Sequence, residues 1–219
     1  MIKEIFNILK LKLYNKREMN RFIREFREKN LHNHTFPVSR FILENVSIGK
    51  ATYGPIEVLD YGNKNAKVRI GNFCSIAANV KFLSGGGHNI NTLSTYPFYA
   101  YFSQKEEENT TKGLISIGDD CWIGRDSIIC SGCNIPQGCI IGAGSVVRGN
   151  FEPYSIIIGN PAICIKKRFV KEIIDILLDI DFSLIDKDFI SHNFKNLYMP
   201  LDKNLALYFR DEIKSKYKL

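Results

Sequence analysis

The stretch Ile117–Val147 reads IGDDCWIGRDSIICSGCNIPQGCIIGAGSVV and returns to an aliphatic residue at every sixth position. A small residue stands four places after each of the first five aliphatics, at Cys121, Ser127, Cys133, Cys139 and Ser145. A period of six fits neither an α-helix nor an alternating strand. It fits a parallel β-helix with triangular coils, in which the aliphatic residue fills the interior and the small residue allows a tight corner.

The same register runs earlier in the chain, through Ile70, Ile76 and Phe82, and Ile48–Tyr53 is a further hexapeptide. At about 18 residues per coil, the two stretches supply about five coils. The register is lost over residues 88–114, which are therefore predicted to form an extended loop beside a rigid scaffold. The predicted fold is mainly β, with the β-helix occupying residues 42–165.

Helical segments are predicted on both sides of the β-helix. Residues 1–31 carry nine Lys or Arg against four Glu, and apolar residues recur there at helical spacing, so residues 1–41 form an N-terminal helical segment. Such a basic amphipathic helix can lie on an anionic membrane or dock on a partner subunit; docking is the simpler interpretation. Residues 166–219 are predicted to be a helical cap, with helices over Lys167–Ile180 and Leu205–Lys216 that close the end of the solenoid or contact another subunit.

Composition is typical of one globular unit. The chain has 219 residues, 45% of them hydrophobic, and no apolar run long enough to cross a bilayer. Its first residues lack a secretory signal pattern, and a cytoplasmic location is expected. The net charge of +7 raises the question of nucleic acid, but no arrangement of basic and aromatic residues matches a nucleic-acid module.

Cysteines and histidines give little support to a metal site. Cys74, Cys121, Cys133 and Cys139 all occupy the small inward position of the hexapeptide, where a free thiol packs as a compact apolar group. The second cysteine of Cys130-x-x-Cys133 belongs to that set, so packing is preferred to a metal or redox role. A zinc site of three imidazoles is also disfavoured, because three of the four histidines lie outside the β-helix, at His32, His34 and His192.

Four ordered motifs give this chain a family resemblance over roughly residues 45–180. They are Ile70–Ala77, then His88 with Ser94–Phe98, then Trp122–Gly124, and finally Gly159–Ala162. With these motifs the chain resembles the hexapeptide-repeat acyltransferases with a left-handed β-helix. Within them it is similar to the branch that includes the xenobiotic (chloramphenicol and streptogramin) acetyltransferases. The left-handed sense of the coil is an implication of the resemblance, since the period alone does not fix it.

The resemblance implies transfer of an acetyl group from acetyl-CoA to a hydroxyl or amine, without a metal. It implies a homotrimer with active sites between neighbouring β-helices and with the loop residue His88 as general base. A neutral imidazole can take the acceptor's proton and later give it to the leaving thiolate. The implied contacts of the coenzyme are Trp122, Gly142, Ala143, Ser145, Asn160, Pro161, Lys166, Lys167 and Arg168. Two alternatives stay open. Lys166, Lys167 and Arg168 can be exposed without binding phosphate, and Trp122 can line the acyl site or pack in a coil corner.

The acceptor is predicted from the loop and from departures from the family. Loop residues after His88 include aromatic side chains, which suit both sugar rings and flat drug scaffolds; Tyr53, Asn89, Tyr96 and Phe98 are the predicted substrate contacts. The chain reads Asp181-Phe182-Ser183-Leu184 where the drug acetyltransferases carry a tryptophan-rich segment. This departure and the basic N-terminus favour a nucleotide-linked amino sugar of surface-polysaccharide (O-antigen, lipopolysaccharide) synthesis, for example GDP-perosamine. An antibiotic acceptor is the alternative, and a non-catalytic β-helix trimer is the alternative of another class.

Overall fold

Short parallel strands and flanking helices make up the structure. The computed structural model describes residues 2–103 and 109–217, with side chains from residue 12 onward. The strands in those ranges are His34–Pro37 (β1), Val46–Ile48 (β2), Tyr53–Leu59 (β3), Val68–Ile70 (β4), Ser75–Ile76 (β5), Lys81–Leu83 (β6), Ile115–Ile117 (β7), Trp122–Ile123 (β8), Ile128–Cys130 (β9), Asn134–Ile135 (β10), Ile140–Ile141 (β11), Val146–Val147 (β12), Ser155–Gly159 (β13) and Ala162–Lys167 (β14). The α-helices are Ile2–Lys29 (α1), Phe98–Phe102 (α2), Lys171–Leu178 (α3), Lys187–Asn193 (α4) and Lys203–Tyr217 (α5), and short 3₁₀ helices cover Leu43–Asn45, Phe182–Leu184 and Asn196–Tyr198.

The strands stack on three faces, each named here after an outward residue. The Trp122 face contains β1, the start of β3, β5, β8, β11 and β13, all in parallel pairs. The Arg69 face contains β2, β4, β7 and β10, and the Lys81 face contains the end of β3, β6, β9 and β12. Four coils have strands on all three faces, and β13 begins a fifth. The chain therefore forms a parallel β-helix, as the hexapeptide period predicts.

The inward positions of the repeat are filled as the sequence indicates. Each aliphatic residue of the repeat is at most 2% exposed, at Ile117, Ile123, Ile129, Ile135, Ile141 and Val147. The small residues four places later are buried as well, which lets the backbone turn tightly at each corner. The prediction of the core from the period of six is confirmed residue by residue.

The buried cysteines also join neighbouring coils. Their Sγ atoms donate to backbone carbonyls of the next coil: Cys74 to Gly118 at 3.1 Å, Cys121 to Pro136 at 3.2 Å and Cys133 to Val147 at 3.0 Å. Burial raises the pKa of the Cys133 and Cys139 thiols to about 11, and the hydrogen bond with Cys74 together with burial raises the pKa of Cys121 well above its usual value. These groups are thiols, not thiolates, at neutral pH.

We expect a thiol reagent at pH 8 to modify native protein at Cys164, which is exposed, and more slowly at the half-buried Cys130. The four buried cysteines should react only after the protein is unfolded in guanidinium chloride. Counting reactive thiols with and without denaturant checks this, and Cys164→Ser should remove the fastest phase alone. Rapid reaction of all six thiols in the native state would show that the core assignment is wrong.

Helix α1 covers the first coil. Its second half packs on the core through Phe22 and Phe26, whose rings lie 5.0 and 6.1 Å from that of Phe41. Strand β1 then pairs in parallel with β3, so residues 34–37 of the predicted N-terminal helical segment join the β-helix sheet. The helix itself is confirmed by the structure.

The C-terminal part differs from the prediction at its start. A helix was predicted from Lys167, but β14 runs antiparallel to β13 as far as that residue, and α3 begins only at Lys171. The chain thus turns back at Asn160–Pro161 and adds a strand to the Trp122 face, which satisfies the backbone of β13. The second predicted helix is confirmed as α5, while α4 was not predicted.

The C-terminal helices lie beside the solenoid, whereas the prediction placed them as a cap at its end. They contact the corner between the Arg69 face and the Trp122 face over several coils. Phe182 lies 6.3 Å from the ring of Phe73 in the second coil, and Gln137 Nε2 in the fourth coil donates to the Leu177 carbonyl at 2.9 Å. Their own apolar residues form a second core with Tyr154, which explains why they pack beside the solenoid.

Candidate active site

His88 follows β6 at the base of the extended loop. Gly87 pairs with Thr110 in an isolated bridge that closes the base of the loop. A Cβ atom at Gly87 would lie 2.4 Å from Thr110 Oγ1, and Gly86 has a φ of +82°. Glycine is therefore needed before His88, for its conformation at Gly86 and for close approach at Gly87.

The imidazole of His88 is held by a backbone carbonyl. Its Nδ1 atom lies 2.7 Å from the Thr95 carbonyl oxygen, seven residues further along the loop. A carbonyl only accepts hydrogen bonds, so Nδ1 carries the proton in this contact and Nε2 presents its lone pair. The side chain is exposed, which leaves Nε2 accessible to a bound acceptor. The sequence predicts His88 as the base, and the structure supplies the group that orients it.

Aromatic side chains surround the tip of the same loop. The ring of Tyr96 lies 5.0 Å from that of Phe98, 5.5 Å from Tyr101 and 6.4 Å from Phe102. We call these four residues the aromatic cluster; they are between 46% and 76% exposed. Residues 84–103 include no Asp, Glu, Lys or Arg. This part of the loop thus offers apolar and hydroxyl contacts without formal charge. The Oδ1 atom of Asn89 accepts from the backbone N–H of Asn91.

Tyr53 and Trp122 lie on the outside of the Trp122 face. They flank Ser75 in one row of paired residues, and they are 54% and 55% exposed. Of the two interpretations of Trp122, packing in a coil corner is wrong, because the side chain is in a strand and points outward. His88 instead leaves the β-helix after β6 on the Lys81 face. Among the side chains described, no hydrogen bond, ion pair or ring contact joins His88 to Tyr53 or Trp122.

Two of the predicted coenzyme contacts in the last full coil have structural roles. Ser145 is fully buried and its Oγ atom accepts from the Gly159 backbone at 3.1 Å, so this side chain cannot reach a ligand. A Cβ atom at Gly142 would lie 2.6 Å from Ile158 Cγ1, which explains that glycine by packing between coils. Ala143 is exposed at the corner, so the backbone there stays open to a ligand.

The three basic residues at and just after the end of β14, Lys166, Lys167 and Arg168, differ in their contacts. Lys167 Nζ donates to the Pro153 carbonyl at 3.0 Å and to Ser155 Oγ at 3.1 Å. Arg168 donates to Asp120 Oδ2 and to the Gly138 carbonyl, both at 2.8 Å. Phosphate binding by these two residues is not supported, because their charged groups have partners within the chain. Lys166 is exposed on β14, and Asn160 and Pro161 form the exposed turn.

Arg168 belongs to a network that the sequence did not indicate. Burial raises the pKa of the Asp120 carboxyl above its usual value, and the charge of Arg168 partly opposes that shift. The guanidinium also lies 5.4 Å from the ring of Tyr154, whose pKa burial raises to about 12. The network ties the start of the C-terminal segment to the β-helix corner. Aspartates at corners are common in turns, so nothing in the sequence distinguishes Asp120.

Two of the other histidines contact backbone carbonyls. His32 Nε2 lies 2.7 Å from the Ile48 carbonyl and His192 Nδ1 lies 2.8 Å from that of Asp188. Within residues 2–103 and 109–217, no three His, Cys, Asp or Glu side chains are grouped so as to hold a metal ion. Over the same ranges, every helix is too short or too polar to cross a membrane.

Comparison with known proteins agrees with the repeat and with the motifs. The family model "Bacterial transferase hexapeptide (six repeats)" matches residues 115–149. The chain is 43% identical over 123 residues to a probable macrolide acetyltransferase of Lysinibacillus sphaericus, a match that covers 53% of this chain and 68% of that protein. It is 38% identical over 123 residues to a chloramphenicol acetyltransferase of Klebsiella aerogenes, covering 53% of this chain and 59% of that protein.

The chain thus spans about three fifths of the length of the chloramphenicol acetyltransferase. Among solved structures, a maltose O-acetyltransferase from Clostridium difficile 630 aligns with a TM-score of 0.48 and 23% identity, over 72% of this chain and 88% of that one. The predicted family is confirmed by the repeat model and by the macrolide acetyltransferase. On these matches, the chain belongs to the hexapeptide-repeat acetyltransferases, within their xenobiotic acetyltransferase branch.

Proposed function

We propose that the protein transfers an acetyl group from acetyl-CoA to a hydroxyl or amine of a small molecule, with His88 Nε2 as the general base. The observation that carries the proposal is the 2.7 Å contact between His88 Nδ1 and the Thr95 carbonyl. That contact holds the neutral imidazole in the tautomer whose free nitrogen can accept a proton. The same carbonyl stabilises the imidazolium once it forms.

The reaction then follows in two proton transfers. The acceptor oxygen or nitrogen attacks the thioester carbonyl while Nε2 removes its proton, which forms a tetrahedral intermediate. Collapse of the intermediate breaks the carbon–sulfur bond, and the imidazolium gives the proton to the departing thiolate of coenzyme A. The products are the acetylated acceptor and free coenzyme A, and His88 is again neutral.

A homotrimer with shared sites is part of the proposal. His88 and the aromatic cluster belong to a loop that follows the Lys81 face, whereas Tyr53 and Trp122 lie on the Trp122 face. A neighbouring copy that brings its Trp122 face against this loop would combine both sets. Acetyl-CoA would then pass the exposed corner at Ala143, with Lys166 available to its phosphates.

The acceptor that the loop supports best is an uncharged, hydroxylated compound with a flat or apolar body. The aromatic cluster offers ring faces, and residues 84–103 offer no cation to a diphosphate. The relatives named for macrolides and chloramphenicol agree with this class. The nucleotide-linked amino sugar, GDP-perosamine for example, is the second candidate, favoured by the net charge of +7. Its diphosphate would need Lys or Arg from outside residues 84–103.

Release of thiol from acetyl-CoA in the presence of chloramphenicol, a macrolide and GDP-perosamine separates the candidates. We expect turnover of an uncharged acceptor, with a kcat/KM that changes little as salt is added. Turnover of the nucleotide sugar alone, weakening with salt as charge pairs are screened, would favour the second candidate. Absence of transfer to every acceptor, with acetyl-CoA still bound, would favour a non-catalytic β-helix trimer instead.

A further inference from the structure

Residues 12–17 of α1, the first whose side chains the structure describes, project from the protein body. All six residues of 12–17 are exposed, although together they cover more than one full turn of the helix. From residue 18 onward the helix packs on the first coil, through Met19, Phe22 and Phe26. We call residues 12–17 the projecting segment. A helix exposed on every side has a surface that is free for a partner.

The charges of the projecting segment have no ion-pair partner within the described residues, unlike most of those that follow it on α1. Lys12, Lys16 and Arg17 form no ion pair with any residue that the structure describes. Further along α1, Arg21 contacts Glu18 and Glu25, Lys29 contacts Glu44, and Arg27 donates to the Thr35 and Asn33 carbonyls, whereas Arg24 is exposed without an ion pair among the described residues. Basic side chains therefore collect on the projecting part of α1 without local neutralisation.

Large apolar side chains accompany these charges. Leu13 and Tyr14 are 59% and 58% exposed. Over residues 2–17 the sequence has five Lys or Arg and one Glu among many aliphatic residues. A helix that combines exposed apolar residues with several unpaired cations is typical of segments that lie in the interface of an anionic bilayer.

We propose that the projecting segment of α1 binds the surface of an anionic lipid membrane. Two other occupants fit the charges less well. A second copy of the same segment would bring unpaired cations against unpaired cations, which is unfavourable. A nucleic acid would neutralise the cations but would leave Leu13 exposed.

Contacts on the first coil link α1 to the base of the His88 loop. Phe22 of α1 packs on Phe41, and the next residue, Ile42, donates its backbone N–H to Asp60 Oδ2 at 2.7 Å. Gly85 approaches Asp60 so closely that a Cβ atom there would lie 2.4 Å from the Asp60 carbonyl oxygen. His88 follows three residues later. The packed part of α1 and the base of the His88 loop are thus connected through Phe41, Ile42 and Asp60 of the first coil.

Sedimentation of the full-length protein with vesicles tests the proposal. We expect binding to phosphatidylcholine vesicles that contain phosphatidylserine, weak binding to phosphatidylcholine alone, and loss of binding in high salt. The variant Lys12→Glu, Lys16→Glu, Arg17→Glu should bind anionic vesicles about 10-fold or more weakly, since each cation near the surface contributes. Leu13→Gln should also weaken binding, through its apolar contact.

A matched control carries the same change of charge elsewhere. Lys64, Lys67 and Lys195 are exposed and are in no ion pair within the described ranges; their replacement by Glu should leave vesicle binding nearly unchanged. If both triple variants lost vesicle binding equally, net charge alone would explain the effect and the proposal would be overturned. A lower oligomer mass for the 12, 16, 17 variant by light scattering, or binding of DNA without binding of vesicles, would identify a different partner and also overturn it. Acetyl transfer to a soluble acceptor should be the same in both variants, so this test is independent of the proposed function.

Discussion

His88→Ala is expected to lower kcat by about 100-fold or more, because it removes the proton acceptor of the proposed reaction. The side chain is exposed, and within the described residues its one hydrogen bond is with the Thr95 carbonyl, so the substitution removes little packing. The dissociation constant for acetyl-CoA and the unfolding transition should therefore remain close to those of the unaltered protein. Steady-state kinetics, calorimetric titration with coenzyme A and thermal unfolding check the three expectations.

His192→Ala is the matched control for that experiment. His192 is also exposed, and its Nδ1 atom also lies against a backbone carbonyl, that of Asp188 at 2.8 Å, but it belongs to α4. Its removal should leave kcat unchanged. Near-normal turnover of His88→Ala would show that another group removes the proton. An equal decrease in both variants would indicate that loss of a histidine–carbonyl contact damages the protein in general.

The β-helix could be predicted from the sequence because its signal is repeated and local. Every coil buries an aliphatic residue at the same position, so Ile123 and Ile129 report the same geometry independently. The inward thiols follow from the same register. Strand β1 carries no such signal, since His34–Pro37 is a single segment outside the repeat that pairs with β3.

The C-terminal segment was harder to predict because two patterns overlap there. Apolar residues at helical spacing from Phe169 onward suggested a helix that begins at Lys167, but Phe169 packs on Tyr154 before the helix begins, at a ring distance of 6.0 Å. The preceding residues pair with β13, a preference set by the unpaired edge of that strand. Tertiary contacts therefore decided both the start of α3 and the position of the helices beside the solenoid.

Within the candidate site, motifs in the sequence point to the proposed base, and the backbone determines how that side chain is oriented. The resemblance assigns the role to His88, but the group that holds the ring is a carbonyl oxygen, which every residue possesses and no sequence pattern marks. The same limit explains why the partners of Lys167 and Arg168 could not be predicted from the sequence. Their positions in the chain suggested phosphate binding, and their actual partners, Ser155 and Asp120, are brought near only by the coils.

The second large effect is expected in the core. Ile129→Ala should lower the free energy of unfolding by about 2–5 kcal/mol, because the side chain is fully buried and its truncation leaves a cavity between coils. Neighbouring coils share the column: Ile129 pairs with Phe82 of β6 on one side and with Val147 of β12 on the other. A rigid stack has little freedom to collapse into the space, so the decrease should lie in the upper part of that range.

Ile128→Ala provides the control, since this neighbour has the same chemistry but points outward on the Lys81 face and is only half-buried. Its replacement should lower the free energy of unfolding by less than about 1 kcal/mol. Denaturant titration of both variants measures the difference directly. A shift of the strand by one residue would exchange the inward and outward positions. A larger loss at Ile128 than at Ile129 would therefore refute the register on which the core, the corner thiols and the departure of the His88 loop all depend.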